Sequence, residues 1–128
     1  MKKGLVLAAA AMMLTFCFWL ARSRNQSHQA QNVRDTAYRE QLNQFQRNVQ
    51  LGTHRKEVEA YLSTAKVSYM QMKSNLAVKI GEEPASEWYC DRWYVYIEFR
   101  FNHLSGQKEP LPLDNLDSIA IQKIGHCL

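Results

Sequence analysis

The sequence predicts an α+β fold in which an N-terminal transmembrane helix precedes two helices packed on a three- to four-stranded antiparallel sheet. Three observations predict it. An uncharged apolar run occupies residues 4–21, apolar side chains recur at helical spacing from residue 33, and apolar positions alternate from residue 66 onward. Because the helical patterns come first and the strand patterns afterwards, we expect segregated elements rather than alternating α/β units.

The apolar run follows two lysines and precedes two arginines. About 17 apolar helical residues are enough to cross a bilayer, so residues 1–24 are predicted to form an uncleaved membrane anchor. The alternative is a cleaved signal segment. Bulky Phe18 and Trp19 stand at the end of the run, where a signal peptidase prefers small residues. Phe16 likewise disfavours lipoprotein processing at Cys17, which we interpret as a buried apolar side chain.

The chain has an uneven charge distribution. Residues 22–56 carry seven basic and two acidic residues, whereas residues 57–128 carry seven basic and ten acidic residues. We therefore expect a basic helical stalk over residues 25–50 and a folded α+β domain over residues 51–128. The basic segment 22–56 could contact anionic lipid headgroups. Nucleic acid is not expected as a partner, because this segment adjoins the predicted anchor.

The sequence before residue 66 predicts a spacer and two helices with a boundary between them. Polar residues 22–31 predict a short spacer, and apolar residues from Val33 to Val49 predict the helix of the stalk, the first of the two that pack on the sheet. Gly52 suits a left-handed residue after that helix. Thr53 suits the N-cap of a second helix over residues 54–63.

Strand patterns follow, at residues 66–72, 76–81, 93–102 and 116–124. The third is the clearest, because its odd-numbered residues from Trp93 to Phe101 are apolar and its even-numbered residues begin with Tyr94 and Tyr96. We expect a hairpin turn at residues 74–75 and loops over residues 82–86 and 103–115.

Cys90 precedes the third predicted strand and Cys127 follows the fourth, so the two cysteines would meet if the strands pair in antiparallel fashion. A disulfide closing such a loop stabilises a domain by about 3–4 kcal/mol in the chain-entropy view. A zinc site that adds His126 and Asp91 is the alternative. Disulfides belong to oxidising compartments. We therefore expect a single-pass protein of the inner (cytoplasmic) membrane with its C-terminal domain outside the cytoplasm.

An aromatic stretch between residues 88 and 96 supplies the candidate binding residues, which are Trp88, Tyr89, Tyr94 and Tyr96. Trp93 belongs to the apolar side of the strand, so these four cannot all lie beside it. They either pack under a preceding loop or the first strands, or form a patch that binds a partner protein, since Tyr, Trp and Arg dominate interface energetics.

The sequence contains no pattern typical of nucleophilic catalysis and no phosphate-binding glycine loop. We therefore predict a non-enzyme with no catalytic residues, no cofactor and no metal site. The favoured function is an envelope scaffold or accessory subunit that binds another envelope or membrane protein. One alternative is an inhibitor or ligand-sensing domain that uses the Glu82–Glu87 loop, and another is an envelope hydrolase.

The segment LGTHRKEVEAYL resembles the helix opening of the small envelope lipoproteins of the SmpA/OmlA (BamE) type. Gly52, Thr53, Val58 and Leu62 match that pattern, and the later strands match in order over roughly residues 40–124. The sequence departs from the family at residues 63–65, where no Gly-x-Pro follows the helix. The resemblance implies an α+β layer that binds other envelope proteins.

Overall fold

The computed structural model describes residues 2–84, 90–102 and 110–127; in the first helix it describes the side chains of Met13 and of residues 18 onward. The described elements are α1 (Lys2–Asn48), α2 (Arg55–Thr64), β1 (Met70–Gln71), β2 (Asn75–Pro84), β3 (Cys90–Asn102) and β4 (Asn115–Cys127). The strands form one sheet in the order β1-β2-β3-β4, with every neighbouring pair antiparallel. The predicted α+β class, with two helices and an antiparallel sheet, is confirmed.

The predicted N-terminal transmembrane helix is wrong. Among the described residues, neither helix has a stretch that is both long and apolar enough to cross a membrane. The predicted run was close to the shortest that can span a bilayer, and from Arg22 onward α1 carries mostly polar and charged side chains.

The chain divides into two units, Met1–Ala37 and Tyr38–Leu128. The first unit is helical throughout its described length, including residues 22–31, for which the sequence predicted a spacer. Gln, Arg and Ala all have good helix propensity, so this polar segment can be helical without an apolar stripe. Local side-chain bonds accompany the helix, such as Thr36 Oγ1 donating to the Asn32 carbonyl at 2.8 Å.

The second unit is built around the face of the sheet that the helices cover. Its fully buried side chains come from α2 and from all three long strands, and the largest are Phe99, Leu62, Leu76, Ile97, Leu116, Val58 and Val95. The predicted apolar side of β3 is confirmed, since Val95, Ile97, Phe99 and Phe101 are all buried. Phe45 of α1 packs edge-on against Phe99 with 5.5 Å between ring centroids, which brings α1 onto this core.

Arg55 is a buried charge that ties α2 to the β1–β2 turn. Its side chain donates to Glu59 at 2.9 Å and to the carbonyls of Met72 and Lys73, and its guanidinium lies 5.2 Å from the Phe101 ring centre. A buried guanidinium needs such partners because leaving it unpaired costs several kcal/mol. Arg55 therefore holds the hairpin turn against the first turn of α2.

Several local boundaries differ from the predictions. The second strand continues to Pro84, the third begins at Cys90 and the fourth continues to Cys127, so all three are longer than predicted. The first predicted strand is reduced to Met70–Gln71, because only these residues pair with β2. The N-cap of α2 is His54 rather than Thr53. Thr53, one residue before this N-cap, instead accepts a main-chain bond from Leu116 at the start of β4. Gly52 has φ +86°, so the predicted left-handed residue is confirmed.

The predicted disulfide is confirmed between Cys90 and Cys127, which are direct partners at the ends of β3 and β4. Since both sulfurs are joined to each other, neither is a free thiolate for the alternative zinc site. Within the described parts of the chain no three His, Cys, Asp or Glu side chains come together as a metal site.

Candidate functional site

The face of the sheet opposite the helices carries the candidate site. Cross-strand partners share a face, so this open face can be followed row by row through the register. One row is Glu82, Tyr94 and Ile124, and the next is Lys79, Tyr96 and Gln122. Arg92 and His126 form the row nearest the disulfide. We call these residues the tyrosine patch.

A β-bulge in β2 creates the charged part of this patch. Lys79 pairs with Tyr96 and Gly81 pairs with Val95, so Ile80 is the extra residue. In a regular strand, residues 79 and 82 would point to opposite faces. The bulge reverses the alternation and brings both Lys79 and Glu82 onto the open face, where their side chains form an ion pair.

The two tyrosines lie side by side at the centre of the patch. The ring centroids of Tyr94 and Tyr96 are 6.5 Å apart, and the rings are tilted by 52°. The Lys79 ammonium lies 4.3 Å from the Tyr94 ring centre, which is cation–π geometry. Both tyrosines are half-buried. No helix or strand of the described residues covers this face of the sheet, so their outer surfaces are available for contact to that extent.

Charge pairing orders the side chains around the tyrosines. Glu82 accepts from Lys79 and also from Arg92 Nη1 at 3.1 Å. The hydrogen bond from Lys79 lowers the pKa of Glu82, and the same bond raises the pKa of Lys79. The exposed side chains of Lys79, Glu82 and Arg92 are thus held together beside Tyr94. Exposed pairs of this kind contribute little to stability, but they restrict the geometry of the patch.

Glycines on the covered face let aromatic rings pack under this end of the sheet. A Cβ at Gly81 would lie 2.5–2.9 Å from atoms of the Tyr38 ring and hydroxyl, and a Cβ at Gly125 would lie 3.1 Å from the Trp93 indole. A side chain at position 81 would overlap the Tyr38 ring, and one at position 125 would make tight contact with the indole, so glycine suits both close approaches. The rings of Tyr38 and Trp93 therefore support the strands that carry the tyrosine patch.

The structure brings together only part of the predicted site. Tyr94 and Tyr96 are adjacent on the open face, whereas Trp88 and Tyr89 lie outside the described residues. The prediction that a Glu82–Glu87 loop follows β2 is wrong for its first residues, because Glu82, Glu83 and Pro84 belong to the strand. Glu83 is paired with Lys123 at 3.0 Å, and Glu87 lies outside the described residues.

The remaining members were not predicted to join the tyrosines, namely Lys79, Glu82, Arg92, Gln122, Ile124 and His126; Glu82 was predicted only as part of an acidic loop. Ile124 could have been recognised from the sequence, because it is an apolar residue on the side of the fourth strand pattern that carries Gln122. Its side chain is 46% exposed. The positions of Lys79 and Glu82 depend on the bulge, for which the sequence offers no distinct pattern.

No family model matches this chain, and neither does any curated protein or solved structure. The resemblance to the SmpA/OmlA (BamE) lipoproteins therefore stays a prediction.

Proposed function

We propose that the second unit is a non-catalytic, extracytoplasmic protein-binding module, and that its tyrosine patch contacts another envelope protein as part of a scaffold or accessory subunit. The observation that carries the proposal is the pair of neighbouring tyrosines on a sheet face opposite the helices, framed by Lys79, Arg92 and exposed Ile124.

The composition of the patch is typical of a recognition surface. Tyrosine and arginine are over-represented among the residues that dominate binding energies, and they cluster where a partner excludes water. Tyr94 and Tyr96 are partly immobilised by their neighbours, so binding would cost little additional side-chain entropy. Ile124 lies in the same row as Tyr94 and adds an apolar contact.

The tyrosine patch is a better candidate for the binding surface than the acidic residues of the predicted Glu82–Glu87 loop. An inhibitor or ligand-sensing loop would need available carboxylates, yet Glu82 is paired with Lys79 and Arg92, and Glu83 is paired with Lys123. In these pairs, neighbouring basic side chains offset the negative charges of Glu82 and Glu83. A partner would therefore meet a nearly balanced charge pattern around an aromatic centre rather than an acidic loop.

The extracytoplasmic location is supported by the disulfide between Cys90 and Cys127. Structural disulfides persist in oxidising compartments and are rare where glutathione keeps thiols reduced. A free-thiol assay on protein isolated under alkylating conditions tests the location: two free thiols at these positions in the native cell would contradict it.

Site-specific photocrosslinking tests the binding function. A benzophenone amino acid at position 96 should crosslink one envelope protein in living cells, whereas the same group at Arg100, exposed at the other end of the same face, should not. Adding Tyr94→Ser should reduce that crosslink by at least about tenfold, equivalent to about 1.4 kcal/mol of binding energy.

Thermal unfolding is the control for this experiment. Tyr94→Ser should leave the unfolding transition close to that of the wild type, because Tyr94 is not in the core cluster. An equal yield of the same adduct from positions 96 and 100, or a loss of crosslinking matched by unfolding, would reject the patch as the binding surface.

A second candidate contact is an anionic lipid surface at the basic segment 22–56. On α1, Phe18 and Trp19 are 70% and 65% exposed, and they share one side of the helix with Arg22. Aromatic and basic side chains together suit a membrane–water interface. Vesicle sedimentation should show binding to phosphatidylglycerol but not to neutral vesicles. Replacing Arg22 and Arg24 by Gln should weaken it more than replacing Arg39 and Arg47.

A further inference from the structure

The two edges of the sheet differ in how they are protected. On the β2 side, β1 pairs with Leu76 and Ala77. Beyond that point β2 carries a bulge at Ile80, the Lys79–Glu82 ion pair and Pro84. Bulges, charges and proline on an edge strand all prevent pairing with another chain. The β2 edge is therefore blocked against strand addition.

Among the described residues, the β4 edge is protected only at its start. Leu116 exchanges main-chain bonds with Gly52 and Thr53, and the Ile119 carbonyl accepts from the Gln46 side chain at 3.4 Å. From residue 120 to residue 127, the described parts of the chain place no strand on the outer side of β4. This stretch has no proline and no bulge opposite residues 92–100, and its one lysine, Lys123, is paired with Glu83 of β2 within the same sheet. It is a template for another strand.

The path of α1 explains why this stretch is uncovered. Gln46 near the end of α1 lies against Ile119 in β4, whereas Tyr38 lies against Gly81 in β2. The helix therefore crosses the covered face away from the later half of β4. A strand added to β4 must end before Ile119, since Gln46 and the Gly52–Thr53 connection occupy the edge there.

We propose that a second copy of this chain fills the edge, with β4 pairing to β4 in antiparallel fashion about a two-fold axis at Ile124. The chemistry of the strand favours this register. The Ile119 carbonyl points outward to Gln46, and the extra residue Asp117 separates it from Leu116, which also bonds outward. Counting by alternation from Ile119, the main-chain groups of Ile121 point outward and those of Ile124 point inward, so Ile124 faces its own copy in a non-hydrogen-bonded pair. Gln122 then faces His126 of the other copy.

Neighbouring registers are less favourable. A two-fold axis at Lys123 would place two ammonium groups opposite each other, which destabilises a strand pair. An axis at Gln122 would run the second strand into the stretch occupied by Gln46 and Gly52. With the axis at Ile124, the two copies pair over residues 121–127. Ile124 is buried against Ile124 of the other copy, and the open faces of the two sheets become continuous. Two-fold pairing of identical surfaces is the commonest form of homodimer.

Disulfide trapping tests the register in full-length protein carrying Cys17→Ser. Ile124→Cys should form an interchain disulfide on mild oxidation, because partners in a non-hydrogen-bonded pair lie within disulfide distance. Gln122→Cys, on the same face of the same strand, should crosslink much more slowly because it would meet His126. Equal rates for the two variants, or no interchain bond at Ile124→Cys, would overturn the proposal.

Sedimentation equilibrium tests the dimer without a crosslink. The wild-type chain should have about twice its monomer mass of 14.9 kDa. Ile124→Glu should weaken dimerisation by roughly tenfold or more, since it opposes like charges and removes an apolar contact. Gln122→Glu adds the same charge opposite histidine and should retain the dimer. A monomeric wild type would refute the proposal and would leave the β4 edge for a different protein. A dimer unaffected by Ile124→Glu would also refute it.

Discussion

The two ends of the sheet are built differently. One end, which we call the packed end, contains the row Leu76, Phe99 and Ile119, all buried beneath α1 and α2. At the other end, the row Glu82, Tyr94 and Ile124 belongs to the tyrosine patch and is exposed or half-buried. There Val95 is fully buried on the covered face, and ion pairs, a disulfide and close-packed glycines add to its contribution.

This difference separates stability from recognition. Apolar burial at the packed end provides the non-directional driving force for folding. The tyrosine patch leaves polar and aromatic groups unburied, and a partner can use them without competing with the core. Covalent and steric constraints supplement the burial of Val95 where the sheet presents this surface.

The largest expected effect is at the packed end. Phe99 is completely buried and packs edge-on against Phe45. Phe99→Ala should lower the free energy of unfolding by about 3–5 kcal/mol because it removes apolar contacts and leaves a cavity. Urea denaturation measures this loss. Tyr96→Ala, in the same strand on the open face, is the control and should cost clearly less; equal costs would remove the distinction between the two ends.

Loss of the disulfide should be the next largest effect. Replacing Cys90 and Cys127 by Ser opens a loop with a sequence separation of 37 residues, which should cost about 3–4 kcal/mol in the chain-entropy account. Hydrogen exchange should show loss of protection first near residues 90–96 and 122–127. Uniform loss over the whole sheet would mean that the two ends unfold as one unit.

The close packing of Tyr38 on Gly81 gives a smaller effect. Gly81→Ala should destabilise the protein by about 1–3 kcal/mol, because the added Cβ would overlap the Tyr38 ring. The same substitution in a Tyr38→Ala background should cost much less. A double-mutant cycle measured by thermal unfolding isolates this coupling; additive effects would show that the ring does not set the cost.

The smallest effect concerns pH. The bond from Lys79 lowers the pKa of Glu82 below its ordinary value of 4.5, so this pairing is intact at neutral pH and is lost as pH falls through the lowered pKa. At high pH, the stability that Lys79 contributes through this pairing is lost as pH rises through its raised pKa. NMR titration should show the midpoint of Glu82 rising in Lys79→Met. An unchanged midpoint would contradict the pairing.

Regular periodicity made much of the fold predictable. The alternation from Trp93 to Phe101 predicted the buried side of β3, and the order of the cysteines around the last two strands predicted their bond. Predictions were weaker where the sequence has no clear periodicity. The polar residues 22–31 are helical, and residues 66–69, though rich in strand-forming types, find no strand partner among the described residues.

The candidate site was predictable only in part. Tyr94 and Tyr96 follow from alternation within one strand, which the sequence contains. Lys79 and Glu82 do not, because a single extra residue at Ile80 changes the face on which Glu82 lies. Such a bulge depends on how neighbouring strands fit together, and no local pattern specifies it.

The sequence by itself determined the α+β class, the segregation of helices from strands, the buried side of β3 and the pairing of Cys90 with Cys127. Each depends on local periodicity or on order along the chain. Only the tertiary structure decided that Lys79, Glu82 and Ile124 join the tyrosines, and that β4 rather than β2 has the open edge. These features depend on register and on the direction in which α1 crosses the sheet, which are properties of packing between distant segments.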